Sequence, residues 1–400
     1  MDQGELLTLL SPEGLRLLDS LPPYDSSADV VSMVARLRSA GHPAQLVAAV
    51  LNQSKLRRRA REKFSEFADR MLFTEAGLEQ ATRLTVAARH AERFRAAGLH
   101  TVVDLGCGIG GDALAMAALD LEVTGVERDE VTAAIAAYNL APWSNAEIVN
   151  ADAQDYPLDG FEGAWLDPAR RNASKRLKNP ADWSPSLDVA FAVADRLPTG
   201  IKLGPGIDRG LIPKGCEAQW VSAGGTVVEL ALWFGDLARQ GIRRTATVLG
   251  AHGITELTAD GDSEDVPVGP LGEFVYEPDG AVIRARLIGD LGRSIDATML
   301  SKGIAWLSSD TAVDTPFAAR FRVVESLPYD VKALRKLVAA RGIGTLEIKK
   351  RGVDVDPAEL RKKLNPRGDA SATLILTRIA GRHTAILAER EPAVAATPTF

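Results

Sequence analysis

Cysteine and histidine are scarce, with 2 and 5 residues in a chain of 400. Cys107 and Cys216 lie far apart and neither belongs to a Cys-x-x-Cys pair, so a disulfide framework is excluded and a reducing compartment fits. The histidines (His42, His90, His100, His252 and His383) are scattered, with no His-Glu-x-x-His pattern, so no metal centre is expected. The dipeptide Gly-Lys never occurs and Gly-x-Ser-x-Gly is absent, which removes the main support for a P-loop NTPase or a serine hydrolase. No apolar run approaches the ~18 residues of a spanning helix. The start, MDQGELLTLL, lacks the basic segment that precedes a signal sequence. A soluble, cytoplasmic protein with no membrane partner is therefore expected.

What the chain does contain is an ordinary globular balance, 46% hydrophobic and 25% charged, enough to build real cores. At about 150 residues per domain its length predicts two or three domains. Residues 1–97 read as a helical N-terminal segment, because apolar residues such as Phe64, Phe67, Met71 and Leu72 recur at helical spacing. Breakers there are confined to Pro22-Pro23 and Gly41-His42-Pro43. From Thr101 short β-branched runs alternate with alanine-rich ones, as in TVVDL, DALAMAAL, EVTGVE and EVTAAIAAYN. That alternation predicts right-handed βαβ units and a doubly wound α/β sheet over 98–250. EAQWVS and TVVELALWF are separated only by Ala223-Gly224-Gly225, so they must pair antiparallel.

The acidic stretch LTADGDSEDVPVGP has loop composition, which places a boundary near 250 and a small connecting subdomain at 251–318. Residues 319–388 form a compact α/β pattern, and 389–400 read as a flexible tail. Asp356 followed by Pro357 marks a helix start there. Between 331 and 378 twelve Lys/Arg face five acids, so this segment carries +7 in a chain of net charge −6. A basic module on an acidic body is a candidate electrostatic footprint for nucleic acid, with Lys349, Lys350 and Arg351 as candidate substrate-binding residues. Solvated helix faces give the same count.

Chemistry concentrates at the predicted strand ends. Asp104-Leu105-Gly106-Cys107-Gly108-Ile109-Gly110-Gly111 follows a strand and precedes a helix. Gly106, Gly108 and Gly111 fit a dinucleotide loop, whereas Asp104 with Gly106, Gly108 and Gly110 fits the loop of S-adenosylmethionine (SAM) methyltransferases. A dinucleotide loop must face a pyrophosphate, while SAM has no phosphate and carries an ammonium that suits Asp104; SAM is the favoured cofactor. Glu127 ends the second strand, where a carboxylate can accept from both ribose hydroxyls, and Asp152 follows the third, where it can accept from the adenine amino group or cap the next turn.

The fourth strand leads to Asp167-Pro168-Ala169-Arg170-Arg171, at the edge where open α/β sheets bind ligands. It resembles the (Asp/Asn/Ser)-Pro-Pro-aromatic loop of enzymes that methylate exocyclic amino groups of bases, with Ala169 in place of the second proline and Arg170 in place of the aromatic. Asp167, Pro168, Arg170 and Lys202, at the end of the fifth strand, are the candidate catalytic residues. Arg171, Lys175 and Arg176 form a basic loop suited to a polyanion. Upstream, Glu79-Gln80-Ala81-Thr82 lies where a helix could fold back over the cofactor, and KLRRRAREK at 55–63 reads as a solvated helix face or a second nucleic-acid contact.

With these motifs in place, the chain resembles bacterial class I SAM methyltransferases that carry a THUMP-like C-terminal domain. The resemblance rests on EQAT at 79–82, DLGCGIGGD at 104–112, DPARR at 167–171, KLGPGID at 202–208, VELALW at 228–233, YEPDGAVIRA at 276–285 and IKKRGVDVDPAELRKKL at 348–364. The glycine loop and the following YNL are similar to those of trimethylguanosine synthases. The family implies a seven-stranded Rossmann-like sheet and an RNA substrate, transfer or ribosomal, and says nothing of the base; a base nitrogen is favoured because carbon methylation normally needs a cysteine nucleophile and Cys216, in the context GCEA, matches no such motif. A small-molecule or protein methyltransferase whose C-terminal module mediates assembly is the alternative. Oligomeric state is not encoded in any motif.

Overall fold

A computed structural model describes residues 1–22, 27–168, 179, 182–250 and 253–392. Arg170, Arg171, Lys175 and Arg176 lie outside the described residues. The chain divides into two compact units, Met1–Lys202 with Trp233–Leu237, and Leu203–Leu232 with Ala238–Phe400.

The first unit opens with α1 (Gln3–Leu10), α2 (Pro12–Ser20), α3 (Ser27–Ser39), α4 (Ala44–Phe64), α5 (Glu75–Gln80) and α6 (Leu84–Ala96). Their starts are written in the sequence. Asp2 and Glu5 form a reciprocal capping box on α1, and Ser11 caps α2 with Pro12 at its first turn. Helix α4 buries Leu46, Val50, Leu56, Ala60 and Phe64 along one face, together with the polar Gln53 and Arg57. Those two polar groups reach the extended segment after α4: Gln53 exchanges two hydrogen bonds with the Phe73 backbone, and Arg57 Nε donates to the Met71 carbonyl at 2.9 Å. Of the cations at 55–63, Arg59 and Arg61 pair with Glu75 and Asp69 on the surface, so the stretch works mainly as a helix face.

The alternation after Thr101 produces β1 (Thr101–Leu105), α7 (Gly111–Ala118), β2 (Glu122–Glu127), α8 (Glu130–Leu140), β3 (Ala146–Asn150), β4 (Gly163–Leu166), α9 (Leu187–Ala194) and β5 (Thr199–Leu203). The pairs β1–β2, β2–β3, β1–β4 and β4–β5 are all parallel. Every residue of β4 is buried, as expected of a central parallel strand covered on both faces. Asn139 of the YNL motif is a structural staple: its side chain accepts from Leu72 N at 2.7 Å and donates to the carbonyls of Leu72 and Ile109 at 3.1 and 2.9 Å.

In the second unit, β6 (Glu217–Ala223) and β7 (Thr226–Phe234) are joined by Gly224 and Gly225 at φ 58° and 78°, the two positive values a type I′ hairpin needs. The expected seven strands lie in the order β3-β2-β1-β4-β5-β7-β6, and two more follow. β8 (Arg244–Gly250) pairs parallel with β6, and β9 (Gly253–Ala259) antiparallel with β8. The start of the acidic stretch, read above as loop, is therefore an edge strand, with alternating half-buried and exposed residues. Glu217, fully buried in β6, is matched by Arg239 at 2.6 Å and by the Thr245 hydroxyl at 2.9 Å.

The remainder contains β10 (Phe274–Pro278), α10 (Gly280–Ala285), α11 (Ile288–Ser294), β11 (Thr298–Ser301), β12 (Ile304–Ser309), β13 (Ala318–Pro328), α12 (Val331–Ala340), β14 (Ile343–Lys350), α13 (Pro357–Leu364), β15 (Ala370–Ile379) and β16 (Arg382–Arg390). Their strands make one sheet, β11-β12-β10-β13-β16-β15-β14, so 271–318 and 319–390 share a framework. Asp356 caps α13 with Pro357 at its first turn, as the sequence predicts. Helices α12 and α13 bury Leu334, Val338, Leu360 and Leu364 in a core shared with Leu374, Leu376 and Leu387.

Replacing Asn139 by alanine removes three hydrogen bonds and leaves a buried N–H and two carbonyls unpaired. We expect Asn139→Ala to lower unfolding free energy by about 2–3 kcal/mol, measured by urea denaturation; a change within about 0.5 kcal/mol would show that water replaces the staple at no cost.

Candidate active site

The glycine loop begins where β1 ends. Gly106 N and Cys107 N both donate to the Val126 carbonyl, at 2.9 and 3.1 Å, which turns the chain sharply toward α7. Gly110, the N-cap of α7, stands at φ 85°, and a Cβ there would come within 2.9 Å of the Leu140 side chain. Only glycine meets both conditions at low cost. Gly106 and Gly108 are also at positive φ, 89° and 58°. Gly108 N donates to Glu127 Oε2 at 3.1 Å, while Glu127 Oε1 accepts from Asp129 N at 2.8 Å. Asp152 is half-buried and caps its own turn by accepting from Gln154 N at 3.0 Å, leaving its second oxygen outside that bond.

Asp104 is the unusual member. Its side chain is 1% exposed, and its Oδ2 is buried without a hydrogen-bond partner. Burial pushes its carboxyl well above the usual range, the charges of Asp112 and Asp167 push the same way, Lys202 opposes them, and Glu127 adds to the rise.

Helix α5 packs directly on this loop. A Cβ on Gly77 would fall 2.5 Å from Ile109 Cγ2, and one on Gly111 would be 3.9 Å from Ala81 Cβ. Lys63, from the end of α4, donates to the carbonyls of Leu78, Glu79 and Ala81, each at 2.8 Å, and so satisfies the open end of α5. Burial, followed by the charges of Lys202 and Arg83, brings the Lys63 ammonium down to about 8.

At the end of β4, Asp167 Oδ2 accepts from Lys202 Nζ at 2.5 Å, and the same ammonium donates to Thr82 Oγ1 at 2.8 Å. The structure thus brings Asp104, Asp167 and Lys202 together beside the glycine loop. Four residues that sequence reasoning left unassigned also serve here: Lys63, Thr82, His90 and Asp112. Thr82 and Asp112 lie inside motifs noted above and Lys63 closes the basic stretch at 55–63, read there as a surface feature; His90 carries no local signal.

The C-terminal candidates separate by role. Lys349 Nζ lies 2.8 Å from Glu277 and 3.2 Å from Glu347, and Arg351 lies 3.4 Å from Glu277. Both also stand over rings, Lys349 over Phe321 and Arg351 over Trp306. Lys350 points to the exposed side. Among the described residues no group of three or more His, Cys, Asp or Glu side chains could hold a metal ion, and no helix is long and apolar enough to cross a membrane.

A sheet in the order 3-2-1-4-5-7-6, parallel from β3 to β5 and closed by the antiparallel β6–β7 hairpin, with a glycine loop after its first strand, is the class I methyltransferase arrangement. Over 98% of this chain and 100% of the other, the fold matches the crystal structure of a candidate methyltransferase from Porphyromonas gingivalis W83, with a TM-score of 0.75 at 21% identity. Residues 318–390 match the THUMP domain-like family model, and residues 2–60 match a domain of unknown function. Two uncharacterized S-adenosylmethionine-dependent methyltransferases of Mycobacterium tuberculosis, from strains CDC 1551 / Oshkosh and H37Rv, are each 34% identical over 333 residues, covering 81% of this chain and 90% of theirs. The chain belongs to this family of S-adenosylmethionine-dependent methyltransferases, and SAM is its cofactor.

The pocket fits that group on its own terms. The orphaned oxygen of Asp104 is a buried acceptor suited to an ammonium, and the positive-φ glycines leave the loop backbone open to close approach. We expect SAM binding to favour the ionised form of Asp104, because a cation beside it opposes the rise that burial causes. Binding then releases a proton and tightens as pH rises toward the raised Asp104 value. Calorimetry in buffers of different ionisation enthalpy measures this directly, and Asp104→Asn should abolish the release and cost about 1.4 kcal/mol or more of affinity.

Proposed function

We propose that this methyltransferase modifies a base nitrogen of RNA, with transfer or ribosomal RNA as acceptor. When bound, SAM would supply an electrophilic methyl group to the nitrogen lone pair, with the C–S electron pair returning to sulfur and the nitrogen's proton passing to solvent. On the protein side, Asp167 and the Pro168 carbonyl accept hydrogen bonds from the amino group and hold its lone pair in line. Positioning of this kind supplies most of the acceleration. In this reading Asp104, Gly106, Gly108, Gly110, Glu127 and Asp152 hold the cofactor, and Arg170, Arg171, Lys175 and Arg176 extend the reading to the segment outside the described residues.

Methylation at a base carbon normally uses a cysteine thiolate, and the burial of both cysteines favours nitrogen. Cys216 is buried, its thiol pushed up to about 11 by desolvation, and it donates to the Pro213 carbonyl at 3.1 Å; burial raises Cys107 as well.

The observation that carries the RNA reading is the outer face of the THUMP-like module. With their apolar residues turned to the sheet, α12 presents Lys332, Arg335 and Lys336 to solvent, and α13 presents Arg361, Lys362 and Lys363. Exposed cations on two packed helices suit a phosphodiester backbone, which is read by charge and spacing rather than by sequence.

The test is transfer from labelled SAM to small RNA and ribosomal RNA taken from cells lacking this gene. Wild type should label one pool and Asp167→Ala should not. Replacing Lys332, Arg335 and Lys336 together by alanine should weaken RNA binding and reduce its log–log salt slope by about 2–3. Labelling of proteins or small molecules in place of RNA would overturn the reading.

A further inference from the structure

A hydrogen-bonded chain crosses the interior of the first unit and ends at the methyl-transfer edge. His90 Nδ1 lies 2.7 Å from Asp112 Oδ1, and Thr82 Oγ1 donates to Asp112 Oδ2 at 2.7 Å. Thr82 Oγ1 accepts from Lys202 Nζ at 2.8 Å, and Lys202 donates onward to Asp167 Oδ2. Thr82, His90 and Asp112 are all buried.

The direction of the chain is fixed by chemistry. An ammonium only donates and a carboxylate only accepts, so the Thr82 hydroxyl must take its hydrogen bond from Lys202 and give its proton to Asp112. Burial alone would raise the Asp112 carboxyl, but the hydrogen bond and charge of His90, with Lys202 and Thr82, hold it below its ordinary value and therefore ionised. The chain is anchored on β4 at both ends. His90 lies against Trp165, ring centroids 4.1 Å apart, and Trp165 belongs to the strand that leads into Asp167. Thr82 itself follows the backbone that Lys63 clamps.

We propose that Thr82 and Asp112 are positioning residues for methyl transfer: they fix the Lys202 ammonium and, through it, the direction in which the Asp167 carboxylate faces. The inference rests on the role given to Asp167 above. It assigns a task to the Glu79-Gln80-Ala81-Thr82 run and to the acid that closes the glycine-loop motif, neither of which touches the reacting atoms.

The chain is tested first without any acceptor. Trace acetylation of the full-length protein, read by peptide mass spectrometry, reports the reactivity of Lys202 against exposed Lys350. Thr82→Val keeps the side-chain shape and deletes the hydroxyl; it should raise Lys202 labelling severalfold, and Thr82→Ser should restore protection. Asp112→Asn should raise it too. Unchanged labelling in Thr82→Val and Asp112→Asn overturns the proposal whatever the substrate, and so does loss of SAM binding in Thr82→Val, since that places the hydroxyl in the cofactor pocket.

In the RNA assay, Thr82→Val should lower kcat about 10- to 100-fold with KM little changed, and Thr82→Ser should recover it. Wild-type kcat in Thr82→Val also overturns the proposal. If wild type labels no RNA, the substrate reading falls alone, and the lysine reactivity still decides whether Thr82 and Asp112 hold Lys202.

Discussion

Like charges crowded at strand ends are the constraint that organises this enzyme's first unit. Asp104, Glu127 and Asp167 stand at the carboxyl ends of β1, β2 and β4, with Asp112 in the first turn of α7. Three of them disfavour the ionised form of Asp104, and Lys202 is the cation that opposes them. A buried carboxyl with an unpaired oxygen is costly in a finished structure, by about 1–3 kcal/mol. The cost makes sense where a cationic cofactor completes the electrostatics. Asp112 is held below its ordinary value by His90, Lys202 and Thr82 while burial raises Asp104, so environments separate two chemically identical groups.

That arrangement explains why the N-terminal helices reach so far into the methyltransferase sheet. Nothing in a βαβ unit alone supplies partners for the carbonyls at the end of α5 or for the loop backbone at Ile109. Lys63 reaches the first and Asn139 the second, while Gln53 and Arg57 fasten the 71–73 segment between them. Each buried polar side chain here bonds backbone, so removing one strands a main-chain group away from water. The cation-rich stretch at 55–63 is thus divided by helical spacing, with Arg57 and Lys63 directed inward and Arg59 and Arg61 paired at the surface.

How much of this was legible followed from the range of the interactions. Alternation of β-branched and alanine-rich runs gave β1 to β7 in order, and the glycine loop with its acid gave the cofactor. Local rules sufficed there because each element announces itself within ten residues. β8 and β9 escaped notice because RTATVLG is short and the following segment is acidic, yet partner strands supply what its composition lacks. β10 to β12 were invisible because β10 pairs with β12 and β13 across two intervening helices, and β11 with β12 only through a bulged register. The His90–Asp112–Thr82–Lys202 chain joins four sequence-distant segments, and no spacing rule reaches across them.

The C-terminal module shows the same limit in its charge. A net of +7 over 331–378 counts Lys349 and Arg351, but both are spent inside the sheet on Glu277, which lies outside that window, and on the Phe321 and Trp306 rings. Arg390 and Arg320 behave alike, held by Glu347 and Glu391 and standing over Phe321 and Phe274. Cations that are paired and stacked fix strand register; they attract a distant polyanion weakly, because their acidic partners offset their fields at source. The cations best placed to act at range are the exposed Lys332, Arg335, Lys336 and Lys363, since on α13 Lys362 pairs with Glu359 and Arg361 donates to the Leu346 carbonyl. The electrostatic footprint of the module is therefore a helical face and not the β14 strand where the basic run IKKR is densest.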